Sequence, residues 1–149
     1  MVLRLTYGLV RLLRPGDAEA GAEGRMLSGG EELGAEILKV AHHGSASSSG
    51  PEFLAAVKPR EAVVSVGPNS YGHPSPTTLA RLDAGARIWR TDEVGNVVVT
   101  TRGSTYSVSA APHGTAAPPT VPPLITPTAS PTPPPRQRAY LVVIFRAGP

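Results

Sequence analysis

The sequence predicts an α/β fold over residues 1–111, followed by a disordered Pro/Thr-rich tail. Short apolar runs alternate with segments whose apolar residues have helical spacing, which is the pattern of a sheet covered by helices. Eleven of the 17 prolines lie at or after Pro112, whereas all 11 acidic residues lie at or before Glu93. The two parts differ in composition, and only the first has that of a folded domain.

The predicted element order is β-β-α-β-α-β-α-β-β. A Tyr7-Gly8 turn between two short apolar runs indicates a β-hairpin at the start of the chain. Pro51 and Pro76 each lie where a helix is expected to begin, because the first helical turn does not need the missing N–H group. Strands are predicted at 2–6, 9–13, 36–41, 62–66, 87–91 and 96–101, with a further strand at Tyr106–Ser109. Helices are predicted at 18–28, from Pro51, and at 75–84. A tight turn is predicted between the strands at 87–91 and 96–101.

The tail is predicted to contain two segments. Residues 112–138 are rich in Pro, Thr and Ala and predict an extended linker, because they offer little apolar surface to bury. Residues 139–149 include one strand-like apolar run, which we interpret as the remnant of a further domain or as a frayed end. The linker composition favours an exported parent protein, although the first residues of the chain have the pattern of a strand and lack that of a signal peptide.

Charge and cysteine content exclude several classes of site. Up to Arg102 the chain has 11 basic and 11 acidic residues, so the net charge of +3 comes from Arg136, Arg138 and Arg146. A basic tail on a neutral domain is weak support for nucleic-acid binding. The absence of cysteine excludes disulfides, thiolate metal sites and cysteine nucleophiles. No run reaches the ~18 apolar residues expected of a membrane span.

Three ionisable clusters follow successive predicted strands. They are Gly-Asp-Ala-Glu at 16–19, His-His-Gly-Ser at 42–45 and Asn-Ser-Tyr-Gly-His-Pro at 69–74. In α/β folds the loops beyond the carboxyl ends of strands are where ligands bind. Carboxylate and imidazole together form the donor set of a transition-metal site. Two such metals polarise a phosphodiester and activate the water that attacks it.

Each cluster also has a simpler interpretation, which the residues alone leave open. Asp17 is equally a turn residue or the N-cap of the next helix. The two histidines fit a solvent-exposed turn, and Tyr71 to Pro74 fit a packed turn. Hydroxyls at 47–49 suit a phosphate but also an ordinary loop. Arginines at 4, 11 and 14 suit either a phosphate-facing stripe or a solvated strand face.

In combination, these motifs resemble the C-terminal part of the ComEC-type (DNA-uptake, competence) metallo-β-lactamase domain. The similarity runs through residues 2–8 and 16–19, the Leu-Lys-Val-Ala-His-His-Gly-Ser segment at 38–45, and Tyr-Gly-His-Pro at 71–74. Further matches are Phe53-Leu54 with Val57-Lys58-Pro59, Ala-Val-Val-Ser-Val-Gly at 62–67, Asn69, and Arg-Thr-Asp-Glu-Val-Gly at 90–95. The resemblance implies the C-terminal half of a four-layer αββα sandwich with a dinuclear zinc or manganese site at one edge.

The resemblance also implies residue roles. Asp17 would be the bridging metal ligand, and His42 a terminal ligand with His43 as the alternative or as a supporting catalytic residue. His73 would line the site and act in proton transfer or hydrogen-bond a phosphate. Contacts to substrate phosphate are expected from Ser45, Asn69 and Tyr71.

Two departures from the family pattern shape the functional hypothesis. The His-x-(His/Asp)-x-Asp-His cluster of the family has no counterpart here, and Leu-Leu-Arg-Pro-Gly-Asp at 12–17 replaces the usual Leu-Leu-Thr-Gly-Asp. With about two protein ligands, a metal would fall short of the three or more of a catalytic site. We therefore expect a fragment of a metal-dependent hydrolase, acting on nucleic-acid phosphodiesters in DNA uptake and inactive as this chain alone.

Two alternatives stay open. One is a non-catalytic module that binds a partner or nucleic acid. The other is a hydrolase of the same fold with a different substrate. The expected partners are DNA and the missing N-terminal half of the domain, and the expected location of the parent protein is extracellular or at the cell surface.

Overall fold

The computed structural model describes residues 1–111 and 141–146 of the 149-residue chain. These residues form a mixed α/β structure, as the element pattern predicts, and their strands are divided between two sheets. The proposed linker at 112–138 lies outside the described residues. In chain order the elements are β1 (Leu3–Tyr7), β2 (Val10–Arg14), α1 (Ala20–Ser28), β3 (Ile37–Lys39), a 3-10 turn (Ala41–Gly44), α2 (Pro51–Val57), β4 (Glu61–Val64), α3 (Pro76–Asp83), β5 (Arg87–Arg90), α4 (Thr91–Val94), β6 (Asn96–Thr101), β7 (Tyr106–Ala111) and β8 (Leu141–Phe145).

The first sheet has five strands in the order β1-β2-β3-β4-β5. β1 and β2 form the predicted antiparallel hairpin, and β2 to β5 run parallel. Parallel neighbours require crossover connections, which α1, α2 and α3 supply. The carboxyl ends of β2, β3 and β4 therefore lie at one edge, and the loops after these strands meet there.

Both faces of the first sheet are buried, and neighbouring residues on a strand belong to different cores. Leu13, Leu38 and Val64 pack with residues of the three helices, including Phe53, Val57 and Leu82. Leu12, Ile37 and Val63 pack against the second sheet, including Val97 and Val99. This alternation follows from the two-residue period of a strand. The result is a helix layer, a central sheet and a second sheet.

The second sheet is antiparallel, in the order β7-β6-β8. Residues 96–101 and 106–111 pair as neighbours, which extends the short strand predicted at Tyr106–Ser109. The predicted tight turn between β5 and β6 is wrong. α4 occupies that position, and the two strands belong to different sheets. The Thr91 hydroxyl fixes this crossing, because it accepts from the Val66 N–H and donates to the Val66 carbonyl.

The apolar run in the tail forms β8, which pairs with β6 from Val97 to Thr101. It thus packs in the same layered unit as the first 111 residues, and the assignment of residues 139–149 to a further domain or a frayed end stays a prediction. The pairing leaves Phe145 8% exposed in the core between the sheets. The four-layer αββα sandwich stays a prediction, since the described layers are one helix layer and two sheets.

Candidate functional site

The candidate site lies at the carboxyl edge of the first sheet, where the loops after β2, β3 and β4 meet. The His42 N–H donates to the Gly16 carbonyl at 3.1 Å, which links the second of these loops to the first. The Ser75 N–H donates to the Gly44 carbonyl at 2.8 Å, which links the second to the third. The structure therefore places the three clusters singled out in the sequence side by side.

The histidine loop has an unusual backbone. His42 and His43 have φ values of +46° and +52°, and Gly44 follows at +84°. Consecutive non-glycine residues in the left-handed region cost of order 1 kcal/mol or more each and need support from surrounding structure. The predicted polar loop is in fact a 3-10 turn, and its left-handed residues turn the two imidazoles in different directions.

His42 is held by Glu19. Its Nδ1 lies 3.1 Å from Glu19 Oε1, and the Ser47 hydroxyl donates to the same oxygen at 3.0 Å. Because a carboxylate only accepts, His42 Nδ1 is the donor, and in the neutral ring Nε2 then carries the lone pair. A carboxylate behind an imidazole is the arrangement that orients a metal-binding histidine.

His43 is held in a similar way by the backbone. Its Nδ1 lies 2.6 Å from the Ser65 carbonyl oxygen, which also only accepts. His43 Nε2 is therefore the atom available to accept a proton or bind a cation. The two neighbouring imidazoles thus have the same tautomer, with their Nδ1 atoms held by acceptors on different loops.

His73 contacts the His42 ring with a centroid separation of 5.5 Å and an edge-on geometry. Its other neighbour is Tyr71, which is 82% exposed and stacks on it at 6.1 Å. His73 therefore lies beside His42 at the carboxyl edge of the sheet. The following peptide bond, His73–Pro74, is cis.

Asp17 lies in the exposed turn after β2. It is not the N-cap of α1, because Glu19 occupies that position. Burial lowers the pKa of Lys39 below its ordinary value. The negative charge of Asp17 opposes this shift, and the positive charge of Arg14 adds to it. These effects place Asp17, Lys39 and Arg14 near one another at the sheet edge.

Two residues expected to contact phosphate have internal partners. The Asn69 amide donates to the Gly67 and His73 carbonyls at 2.9 and 2.8 Å and accepts from the Tyr71 and His73 N–H groups. Both amide hydrogens are therefore used within the loop that positions His73. Ser45 is 8% exposed, and its hydroxyl pairs with that of Ser47 at 3.0 Å.

Arg4, Arg11 and Arg14, the possible phosphate-facing stripe of the first hairpin, lie in two different environments. Arg11 bonds Glu36 through its backbone N–H and guanidinium, and Arg4 pairs with Glu32 at 3.1 Å. Those two side chains are therefore not free to face a phosphate. Arg14 lies at the end of β2, towards the candidate site.

The donor set falls short of a complete metal site within the described residues. No group of three or more His, Asp or Glu side chains in 1–111 and 141–146 is placed to hold an ion. His42 Nε2 and the Asp17 carboxylate have the right chemistry as individual ligands, but a zinc or manganese ion there needs further ligands from outside the described residues.

Three functional candidates were not selected from the sequence. Glu19 was visible in the Gly-Asp-Ala-Glu motif, but only the fold shows that it reaches His42. Ser65 acts through its backbone carbonyl, which no sequence pattern marks. Lys39 lies in an apolar run and was assigned to the strand core.

Two curated competence-related proteins are similar to the chain. ComE operon protein 3 of Bacillus subtilis (strain 168) is 34% identical over 99 residues, which is 65% of this chain and 13% of that protein. Competence protein ComA of Neisseria gonorrhoeae is 40% identical over 97 residues, which is 63% of this chain and 14% of that protein.

The similarity covers a small part of each relative, since the chain spans only about an eighth to a seventh of their lengths. No family model matches the chain, and no solved structure matches it significantly. Within the described residues, no helix has both the length and the apolar character needed to cross a membrane.

Proposed function

We propose that this chain is part of a metal-dependent hydrolase domain that acts on nucleic-acid phosphodiesters during DNA uptake. Similarity to two competence-related proteins supports the biological process. The single observation that supports the chemistry is the pair of histidines at the sheet edge, each with Nδ1 hydrogen-bonded and Nε2 free.

In this proposal Asp17 and His42 Nε2 contribute two metal ligands, and the remaining ligands come from residues outside those described. A zinc or manganese ion held by these residues would supply polarisation of a phosphodiester and activation of water. Glu19 is a positioning residue, because it fixes the ring orientation and tautomer of His42. The chain alone is inactive in this account, because two ligands leave the metal incompletely held.

The proton-handling roles fall to His43 and His73. His43 Nε2 has a lone pair because the Ser65 carbonyl takes the Nδ1 hydrogen. His73 lies against His42 and is oriented through the Asn69 network. Either imidazole has the chemistry to accept a proton from water or to donate one to a leaving oxygen. Tyr71, stacked on His73, is placed to contact a substrate phosphate.

A chimera tests this function in a living cell. The matched segment of the Neisseria gonorrhoeae relative is replaced by the corresponding part of this chain, and transformation by added DNA is measured. We expect the chimera to retain competence, Asp17→Asn and His42→Ala to reduce it by at least roughly 100-fold, and Glu19→Gln to reduce it by roughly 10–100-fold. Exposed Glu52→Gln is the matched control and should have no effect.

Three outcomes have separate meanings. A chimera that is produced at normal levels but fails to support competence contradicts the assignment to this process. Full competence in the Asp17 and His42 variants contradicts the hydrolase chemistry and favours a non-catalytic binding module. If the Asp17 and His42 variants lose both competence in the cell and the nuclease activity that the purified chimera shows, both parts of the proposal are supported.

A further inference from the structure

A cavity of about 280 Å³ lies between the two sheets, next to the candidate site. This volume is close to the lower end of the ~300–1,000 Å³ range of ligand pockets. Apolar side chains from β1, β2 and β8 form most of its wall, including Leu5, Leu12 and Phe145. Its polar lining comes from Arg14, Lys39, Ser65 and Arg146.

The position of these polar residues follows from strand alternation. Lys39 lies two residues after Ile37, on the face of β3 that packs against the second sheet. Arg14 has the same relation to Leu12 on β2. The inner face of the first sheet is therefore apolar along most of its length and cationic at its carboxyl end.

Lys39 is the central observation. It is 8% exposed, yet within residues 1–111 and 141–146 no acceptor lies within hydrogen-bonding distance of its amino group. Asp17 acts on it only through charge, while burial and Arg14 disfavour its charged form and lower its pKa. Among the described residues only Ser49 Oγ is a buried side-chain polar atom without a partner, so the Lys39 amino group is open to solvent and to an anion in the cavity although most of its side chain is buried.

The cavity has a strong cationic bias. Three of its ten lining residues are basic and none is acidic. Arg14 and Arg146 are exposed, so solvent screens their charges, whereas Lys39 is largely buried among apolar side chains, where its charge is screened less. A tetrahedral anion with three or four oxygens suits a cavity lined by three cations better than a carboxylate, which has two oxygens and a single charge.

From this geometry we infer that the cavity is a binding site for a phosphate group, with Lys39 as its principal ligand and Arg14 and Arg146 as its flanking cations. The bound anion would supply the partner that Lys39 lacks. The Ser65 hydroxyl donates to the Arg146 carbonyl, which ties the end of β8 to the end of β4 at the cavity mouth. This site adjoins Asp17, whose charge acts on Lys39, but neither proposed metal ligand, Asp17 or His42, is among its lining residues, and it requires no metal.

The bound phosphate group can come from two sources, a free phosphate ion or the backbone of a nucleic acid. Isothermal titration calorimetry of the full 149-residue chain with inorganic phosphate, in metal-free buffer, tests the shared chemistry. We expect binding that weakens by roughly tenfold or more in Lys39→Met, a variant that keeps the length of the aliphatic stem and removes the charged amino group. Lys58→Met is the matched control, because Lys58 is exposed and is the other lysine of the chain.

A competition experiment separates the two sources. Displacement of phosphate by a short single-stranded oligodeoxynucleotide, with affinity that falls as salt rises, identifies a backbone phosphate. Failure of the oligonucleotide to compete identifies the free anion. Unfolding temperature measured with and without phosphate shows that each variant is folded and reports binding a second time.

Two results would overturn the inference. One is the absence of phosphate binding by the folded wild-type chain. The other is equal binding by the wild type and by folded Lys39→Met. Neither result would contradict the proposed hydrolase function, which depends on Asp17 and His42. Conversely, loss of competence in the chimera would not contradict phosphate binding by this chain.

Discussion

The helix-covered face of the first sheet and the carboxyl edge of the same sheet are stabilised in different ways. The helix-covered face is dense apolar packing, with Leu38 and Val64 at 0% exposure and Phe53 at 1%. The carboxyl edge contains left-handed histidines, half-exposed imidazoles and polar networks. Packing elsewhere offsets the strain at this edge, as is common at functional sites. Stability and candidate chemistry thus come from separate parts of one short domain.

Truncation of the two phenylalanines gives the largest expected effect. Phe53→Ala should lower the free energy of unfolding by about 3–5 kcal/mol, because it leaves a void in the helix-covered core. Phe145→Ala should cost less than about 2 kcal/mol, since Phe145 lies on an edge strand and already borders a cavity. Urea unfolding of both variants measures the difference. Equal losses would mean that the two faces of the sheet are packed alike.

The glycine of the histidine loop is the next most sensitive position. A Cβ at Gly44 would lie 2.7 Å from Pro74 Cβ, and the φ of +84° adds strain. We expect Gly44→Ala to cost about 2–4 kcal/mol and to displace His42 and His43.

Gly72 supplies a matched control for this substitution. Its φ is +75°, but a Cβ at this position would have no neighbour within 4 Å, so Gly72→Ala measures strain alone. We expect about 1 kcal/mol from that strain. Similar costs at both glycines, measured by urea unfolding, would show that contact with Pro74 does not constrain the histidine loop.

The buried carboxylate of Glu23 connects the packed region to the edge. Glu23 is 3% exposed and accepts from the N–H groups of Ser49 and Gly50 at 2.6 and 2.9 Å. Glu23→Gln should destabilise the chain by about 1–3 kcal/mol, because an amide replaces one acceptor oxygen with a donor. Thermal unfolding compared with exposed Glu52→Gln checks this, and identical melting temperatures would contradict it.

The smallest expected effect is a pH dependence at the far side of the sheet. The Arg11 side chain holds the pKa of Glu36 at about 2, below its ordinary 4.5. Because the folded-state pKa is depressed, the stabilisation is complete above about pH 4.5 and is lost as pH falls towards 2. Glu36→Gln should flatten the stability profile in this window, whereas exposed Glu31→Gln should not. An unchanged profile in Glu36→Gln would contradict the ion pair.

The sequence predicts regular elements well where local chemistry defines them. Pro51 and Pro76 mark the starts of α2 and α3, and the Ser75 side chain caps α3 by accepting from the Thr77 N–H. The three loops of the candidate site were also identified, because parallel strands place their carboxyl ends at one edge.

Features that depend on long-range contact were not predictable in this way. The pairing of β8 with β6 joins residues that are 40 (Thr101 and Leu141) to 48 (Val97 and Phe145) positions apart in the sequence, with a linker-like segment between them. The left-handed backbone of His42 and His43 is maintained by Glu19, Ser65 and the loop around Pro74, not by local propensity. Lys39 matched a core strand pattern, and only the fold shows that it borders a cavity.

The central claim is that His42 and His43 are held with Nδ1 protonated and Nε2 free. Long-range proton–nitrogen NMR of the histidine rings, recorded on the full chain above about pH 8, where imidazole is neutral, measures this directly. We predict the Nδ1–H tautomer for both residues, with that of His42 lost or mixed in Glu19→Gln and that of His43 unchanged. Predominantly Nε2–H rings in the wild type, or a His42 tautomer indifferent to Glu19, would contradict the arrangement on which the candidate site rests.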